Sequence, residues 1–295
     1  MRTPPKKILL ATDGSGDAAL AARAAIDLSN KAGAELHVVH VWTSIPPTAY
    51  PAMSVNRHAH LYEEGARELL ETEVKRVRES GGAVEAEHLR EGRPPDEIAA
   101  LADELAADLI VVGSRGAGPV KRLVTGSVSE GVVALASCPV LVVRGEGSWP
   151  PARVIVGDDS SAAATRAADL GVSLAELFGA SVVLVRVYPP QLAFRTDGAS
   201  ETPAISEEVL KMGDESLRRR AESLQGRPDV RGEVGDAAAI IQRIAEDSGE
   251  KTLVALGSRG LDAVRRFTLG SVSTDVLRAV EGPVLIVKLS EESES

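Results

Sequence analysis

Cysteine is nearly missing from this 295-residue chain. Cys138 stands alone, which excludes an intrachain disulfide framework and any multi-cysteine metal site. Aromatic residues are scarce: three Phe, three Tyr and two Trp are too few for an obvious base-stacking platform. Positive charge is outweighed, with 33 Lys and Arg against 43 Asp and Glu, a formal net of −10. Nucleic-acid binders draw much of their affinity from a basic footprint, so no nucleic-acid partner is expected, and any polyanion must be held by local geometry. Long apolar runs are also lacking. Leu109–Val112 and Val182–Val185 are far too short to span a bilayer, and no apolar leader follows the first seven residues. A cytoplasmic location with no membrane partner is therefore expected. A Gly-x4-Gly-Lys-Ser/Thr run is absent as well, leaving motor-type NTPase chemistry unsupported.

What the chain does contain is an internal repeat, the first thing to seek because it decides the architecture. Residues 111–144 and 255–288 align without a gap at an offset of 144 and share 15 identities in 34 positions. The starts of the halves also correspond, Ile8–Ser15 with Val154–Ser161, at an offset of 146. Arg144–Pro151 has the composition of a linker, so two domains are expected, at 1–146 and 151–290.

Within each half, strand-like and helix-like patterns alternate. Short apolar runs at 7–12, 35–42, 84–89, 109–113 and 139–143 read as strands, near-continuous as befits a parallel sheet covered on both faces. Residues 16–32 read as an Ala-rich helix and 57–80 as a longer charged one, with Glu71 and Lys75 placed to pair at i, i+4. Pro94-Pro95-Asp96-Glu97 marks another helix start, with Ile98, Leu101, Ala102 and Leu105 on one face. Right-handed crossovers then give an α/β fold: two tandem doubly wound domains, each with a five-stranded parallel sheet. The last strands, Val140–Val143 and Val284–Val287, would be apolar edges, and pairing them would form an intrachain pseudo-dimer.

Ligands of such sheets bind beyond the carboxyl ends of the strands, where the strand order reverses. The turn after the fourth strand is where glycines gather: Gly113-Ser114-Arg115-Gly116, nine residues, then Gly126-Ser127-Val128-Ser129. Gly113 and Gly116 offer bare backbone to a ribose or pyrophosphate. Gly126-Ser127 opens the last helix, whose free N–H groups and dipole make an anion site, with Ser127 and Ser129 adding hydroxyls. The second half repeats the frame with Gly257, Arg259, Gly260, Gly270, Ser271, Val272 and Ser273. Arg122 and Arg266 recur before the Gly-Ser pair, placed either to touch phosphate or to anchor the loop.

Gly-x2-Gly-x9-Gly-Ser after a strand, with an Asp ending the first strand, resembles the universal stress protein family over nearly the whole chain, as a tandem member. The resemblance implies strand order 3-2-1-4-5 and ATP, with AMP or ADP as alternatives, between the ends of strands 1 and 4. It places Ala11, Asp13 and Val41 around adenine, with Gly157, Asp159 and Val187 as the second set. Gly113, Arg115 and Gly116 would line ribose and phosphates, and Gly126, Ser127, Val128 and Ser129 would cradle the phosphates, Mg²⁺ riding on them. It also implies a nucleotide-responsive stress or growth regulator whose protein partner and further homodimerisation are open, not a fast enzyme. No motif sets a general base opposite the cradle, so no catalytic residue is assigned, and at most slow ATP hydrolysis is expected. The second half departs at Ser160, which replaces Gly14, and at Thr252, which replaces Asp108. Two pockets of unequal affinity are expected, 113–129 the stronger.

Two other readings remain. Gly14-Ser-Gly16-Asp-Ala-Ala19 fits a dinucleotide fingerprint, which would make an oxidoreductase. No acid closes the second strand for the ribose, however, and the copy Ser160-Ser-Ala-Ala has lost the glycines. The other is a dimerisation scaffold with empty pockets. The histidines assemble no metal site: His37 and His40 fall on opposite faces of a strand, His58 and His60 on different faces of a helix, and His88 stands alone. Cys138 reads as a small buried hydrophobe.

Overall fold

The computed structural model describes residues 4–43, 55–116, 126–188, 207–247, 249–258 and 269–288. The chain divides into two units, Pro5–Trp149 and Pro150–Ser295.

The first unit runs β1 (Lys7–Ala11), α1 (Gly16–Ala32), β2 (Glu35–Trp42), α2 (Val55–Glu79), β3 (Val84–Glu91), α3 (Pro94–Leu105), β4 (Leu109–Gly113), α4 (Ser127–Leu135) and β5 (Val140–Val143). Its strands lie in the order β3-β2-β1-β4-β5. Neighbours pair in parallel, Leu10 beside Val38 on one side and Val111 on the other. The second unit repeats this with β6 (Arg153–Gly157), α5 (Ala162–Phe178), β7 (Ser181–Tyr188), α6 (Glu207–Ser223), β8 (Asp229–Val234), α7 (Ala237–Asp247), β9 (Thr252–Gly257), α8 (Ser271–Ala279) and β10 (Val284–Val287). Its order is β8-β7-β6-β9-β10, the expected 3-2-1-4-5 in both copies.

The central strands are apolar along their middle positions because both faces are covered, polar residues such as Lys7 and Arg153 standing only at their starts. Ile8, Leu9, Leu10, Leu109, Ile110 and Val111 have no exposed surface, nor do Val154, Ile155 and Val156 in the second unit. Each such side chain contributes about 1.5–3 kcal/mol over leaving it in water. Buried alanines along α1 and α5 let those helices lie close to the sheet. Both helices are capped alike. Ser15 and Ser161 accept from the amides of Ala18 and Ala164, while Gly33 and Gly179 close the far ends in the left-handed conformation. On α2, Lys75 pairs with Glu79 at 3.8 Å, not with the expected Glu71. Cys138 is half-buried, short of the buried site its neighbours suggested. Among the described residues, no helix is long and apolar enough to cross a membrane.

Candidate functional site

The reversal of strand order falls between β1 and β4, and their carboxyl ends present Ala11-Thr12-Asp13 and Gly113-Ser114-Arg115-Gly116. Asp13 accepts from the amide of Ser15 (3.1 Å), shaping the turn into α1. Its other carboxylate oxygen lies so near Gly116 that a Cβ there would stand 2.6 Å away. Strand 1 and the strand 4 turn thus meet at Asp13 and Gly116.

Gly113 has a packing reason to be glycine, whatever ligand it faces. A Cβ there would come within 2.6–2.8 Å of the Asp17–Ala18 backbone in the first turn of α1. Gly257 sits in the same way against Ala163–Ala164. Both glycines let a helix start lie against a strand end.

Gly126 N-caps α4, and its amide donates to the Ser114 carbonyl at 2.7 Å. The Ser129 hydroxyl turns inward to the same carbonyl (3.0 Å) and to Gly126 O (2.9 Å). It stitches the helix to the turn instead of presenting a donor outward. Ser273 does likewise, donating to Gly257 O at 2.7 Å, while Gly270 donates to Ser258 O at 2.8 Å. Ser127 and Ser271 are exposed, as are Val128 and Val272 beside them. Neither α4 nor α8 has a side-chain cap, in contrast to α1 and α5. Among the described residues, the two Gly-Ser helices therefore begin with amides that no side chain caps, at the end of the dipole that favours anions. Arg122, Arg259, Gly260 and Arg266 lie outside the described residues.

A charged cluster that no local motif announces lies behind this turn. The Asp17 carboxylate accepts from the Ser114 hydroxyl (2.7 Å) and from Arg115 Nε (3.1 Å). Ser15 also donates to the Arg115 carbonyl at 3.2 Å. Arg144, buried at the end of β5, faces Arg115, Asp17 and Glu130; burial first, then Arg115, holds its guanidinium below the ordinary value. The acidic residue in the first turn after the Gly-Ser-Gly segment was the available signal. At the aligned positions the second unit has Ala163 for Asp17 and Lys288 for Arg144.

A second polar cluster lies under the ends of strands 1 and 2, and its charges are inverted between copies. In the first unit Thr12 donates to the buried Glu73 (3.2 Å), which also pairs with Arg76 (2.6 Å), and His40 Nδ1 lies 2.8 Å from the Thr12 carbonyl. In the second, the fully buried Asp158 pairs with Arg186 (2.9 Å) and Arg220 (2.7 Å). Asp158 also accepts from the amide of Ser160 (2.6 Å), which holds a left-handed φ of 68° where the first copy has Gly14 at 74°. Val41 and Val187, both half-buried, lie one residue beyond His40 and Arg186.

His88 is not isolated: its Nε2 lies 3.1 Å from His37 Nδ1 across β2 and β3. No group of three or more His, Cys, Asp or Glu able to hold a metal occurs among the described residues. A cavity of about 240 Å³ lies elsewhere, between α1 and the turn after β5, and includes none of the motif residues.

Fold and site together define a tandem doubly wound α/β protein with an uncapped Gly-Ser helix start beside each switch point. The model of the universal stress protein family matches residues 4–144 and again 152–288, and the chain belongs to that family. A universal stress protein of Mycobacterium tuberculosis is 29% identical over 269 residues, covering 86% of each chain. One from Methanocaldococcus jannaschii is 38% identical over 140 residues, 47% of this chain and 82% of its own. The crystal structure of a universal stress protein from Archaeoglobus fulgidus has the same fold, with a TM-score of 0.73 at 23% identity, covering 96% of this chain and 98% of its own.

Proposed function

We propose that each unit binds an adenine nucleotide, ATP first among them, and that occupancy makes the protein a nucleotide-responsive stress regulator. The observation that carries this reading is the contrast among helix starts. The helices after strands 1 and 6 are capped by their own serines, whereas those after the glycine turns have no side-chain cap, in both copies. An uncapped N-terminus with exposed Ser127 or Ser271 suits phosphate, and each charge-assisted hydrogen bond there contributes about 1.5–3 kcal/mol. Asp13 and Val41 would border the base and Gly116 the ribose and phosphates, with Asp159 and Val187 as the second pair facing the base. Mg²⁺ would be carried by phosphate oxygens and water, since no ready cluster of protein ligands stands among the described residues. The dinucleotide alternative is weakened because Ser15 already caps the first helix, occupying the Ala18 amide, one of the donors that reading needs.

Calorimetric titration of the full chain with ATP tests the proposal. Two equivalents are expected, and Gly126→Val should remove one. A side chain at 126 would meet the Ser114 carbonyl at 2.9 Å and push the turn from its place. Absence of ATP binding by the native chain, or two undisturbed equivalents in Gly126→Val, would overturn it.

A further inference from the structure

We propose that Asp17 is a positioning residue for Arg115 that gives the first site a preference for triphosphate over the bare nucleoside. Ala163 removes that preference from the second site. The inference rests on the nucleotide reading above. Its geometric basis is how Arg115 is held. Asp17 engages Nε, at 3.1 Å, and among the described residues the two terminal nitrogens of Arg115 make no hydrogen bond. The guanidinium is thus anchored along one edge with its other donors left for a ligand. Arg115 also stands at the right place: its Cα is the second-nearest atom to the bare face of Gly126, the N-cap of α4. A phosphate on that helix start would lie beside it.

Arginine gives up more rotamer freedom than most side chains when it is ordered, so an arginine already anchored binds phosphate at lower entropic cost. Asp17 holds Ser114 as well, and the Ser114 carbonyl in turn takes Gly126 and Ser129. One carboxylate therefore fixes both the arginine and the turn behind it. An opposing effect has the reverse sign, since a carboxylate near phosphate repels it. Asp17 is only 15% exposed and its charge is matched by Arg115, with Arg144 facing both, so anchoring should outweigh repulsion. In the second unit Gly257 packs on Ala163–Ala164 as Gly113 does on Asp17–Ala18, which places a methyl group where the carboxylate would be.

The test follows ATP and adenosine titrations of the full chain by amide exchange, reading Ser127–Leu135 for the first site and Ser271–Ala279 for the second. Asp17→Ala should weaken ATP at the first site roughly tenfold and leave adenosine within about twofold. Asp17→Asn keeps the accepting oxygen without the charge and should bind ATP at least as well as the native chain. Ala163→Asp should raise the ATP-to-adenosine ratio at the second site. Tighter ATP binding in both Asp17 variants would mean repulsion governs and overturn the proposal. A parallel fall for ATP and adenosine would assign Asp17 to the fold alone and overturn it too. If the native chain binds neither ligand, the nucleotide reading itself fails; if it binds ATP and Asp17→Ala keeps the native ratio, only the role of Asp17 fails.

Discussion

Position 12 in the first unit and position 158 in the second occupy the same place after the first strand, yet one is threonine and the other a fully buried aspartate. The aspartate is tolerable only because two guanidiniums face it, Arg186 at 2.9 Å and Arg220 at 2.7 Å. A buried ion pair adds little over an apolar core, but removing one partner leaves charge without compensation. Asp158→Thr, which installs the first unit's own residue, would leave Arg186 and Arg220 without their carboxylate, while the amide of Ser160 could still meet a threonine hydroxyl as that of Gly14 meets Thr12 at 3.3 Å. We expect it to destabilise the second unit by about 3–5 kcal/mol, read by urea denaturation. The native chain and Thr12→Ala, which removes a hydroxyl but no charge, serve as references. A loss below about 1 kcal/mol would show that the arginines find water or other partners. The threonine copy thus cannot be moved between units alone; its surroundings, Glu73 against Arg220, would have to move with it.

At the scale of elements, β3 is the edge strand of the first unit and is held to β2 by its ladder and by the His37–His88 pair. One ring nitrogen must donate and the other accept across 3.1 Å, so protonating both rings would set two donors against each other. Glu35 lies 3.7 Å from the other side of His37 and is shared with Lys7; Arg90 and Glu104, themselves paired, flank His88. Burial, then His37 and Arg90, lower the His88 pKa below 6.5, with Glu104 working against them. The unfolded chain therefore takes up a proton first, and the stabilisation is present above about pH 6.5 and lost as pH falls through the lower folded value. The effect should be roughly a few tenths of a kcal/mol, because His88 is half-buried and its charge is screened. Amide exchange of Val84–Glu91, corrected for intrinsic rates, should speed up on acidification in the native chain and change less in His88→Gln. Equal responses would remove the pair from the account. Such a pairing was invisible in sequence, since it depends on cross-strand register, which local pattern does not fix. The strands themselves were legible: burial on both faces writes itself as an apolar run, and Lys7–Ala11, Glu35–Trp42 and Leu109–Gly113 fall where the runs lie. The site was legible only where residues are close in sequence. Gly126-Ser127 announces a helix start by itself, whereas Asp17 and Ser114 are 97 residues apart and meet only through the fold.

The charge of the molecule as a whole opposes the ligand proposed for it. A formal net charge of −10 faces a polyanion, so long-range forces should slow the approach of ATP, while Arg115 and the start of α4 act only at short range. Those two contributions separate by their salt dependence. Screening over a Debye length of about 8 Å at physiological ionic strength removes the long-range repulsion but hardly touches contacts made inside the cradle. Raising salt from about 10 mM to about 150 mM should therefore leave the association rate unchanged or faster. A basic, steering site would show the reverse, a steep slowing with salt. Any loss of affinity should then sit in dissociation, where phosphate contacts compete with the added anions. Stopped-flow binding of a fluorescent ATP analogue across that salt range distinguishes the cases. A marked fall in association rate would mean that the local cationic field around Arg115 and Arg144 reaches well beyond the site and dominates the acidic surface. The unequal copies sharpen the test. The first unit carries Asp17 and Glu130 beside its arginines, while the second has Ala163 and Thr274 at those positions, so the second site should show the weaker acceleration with salt.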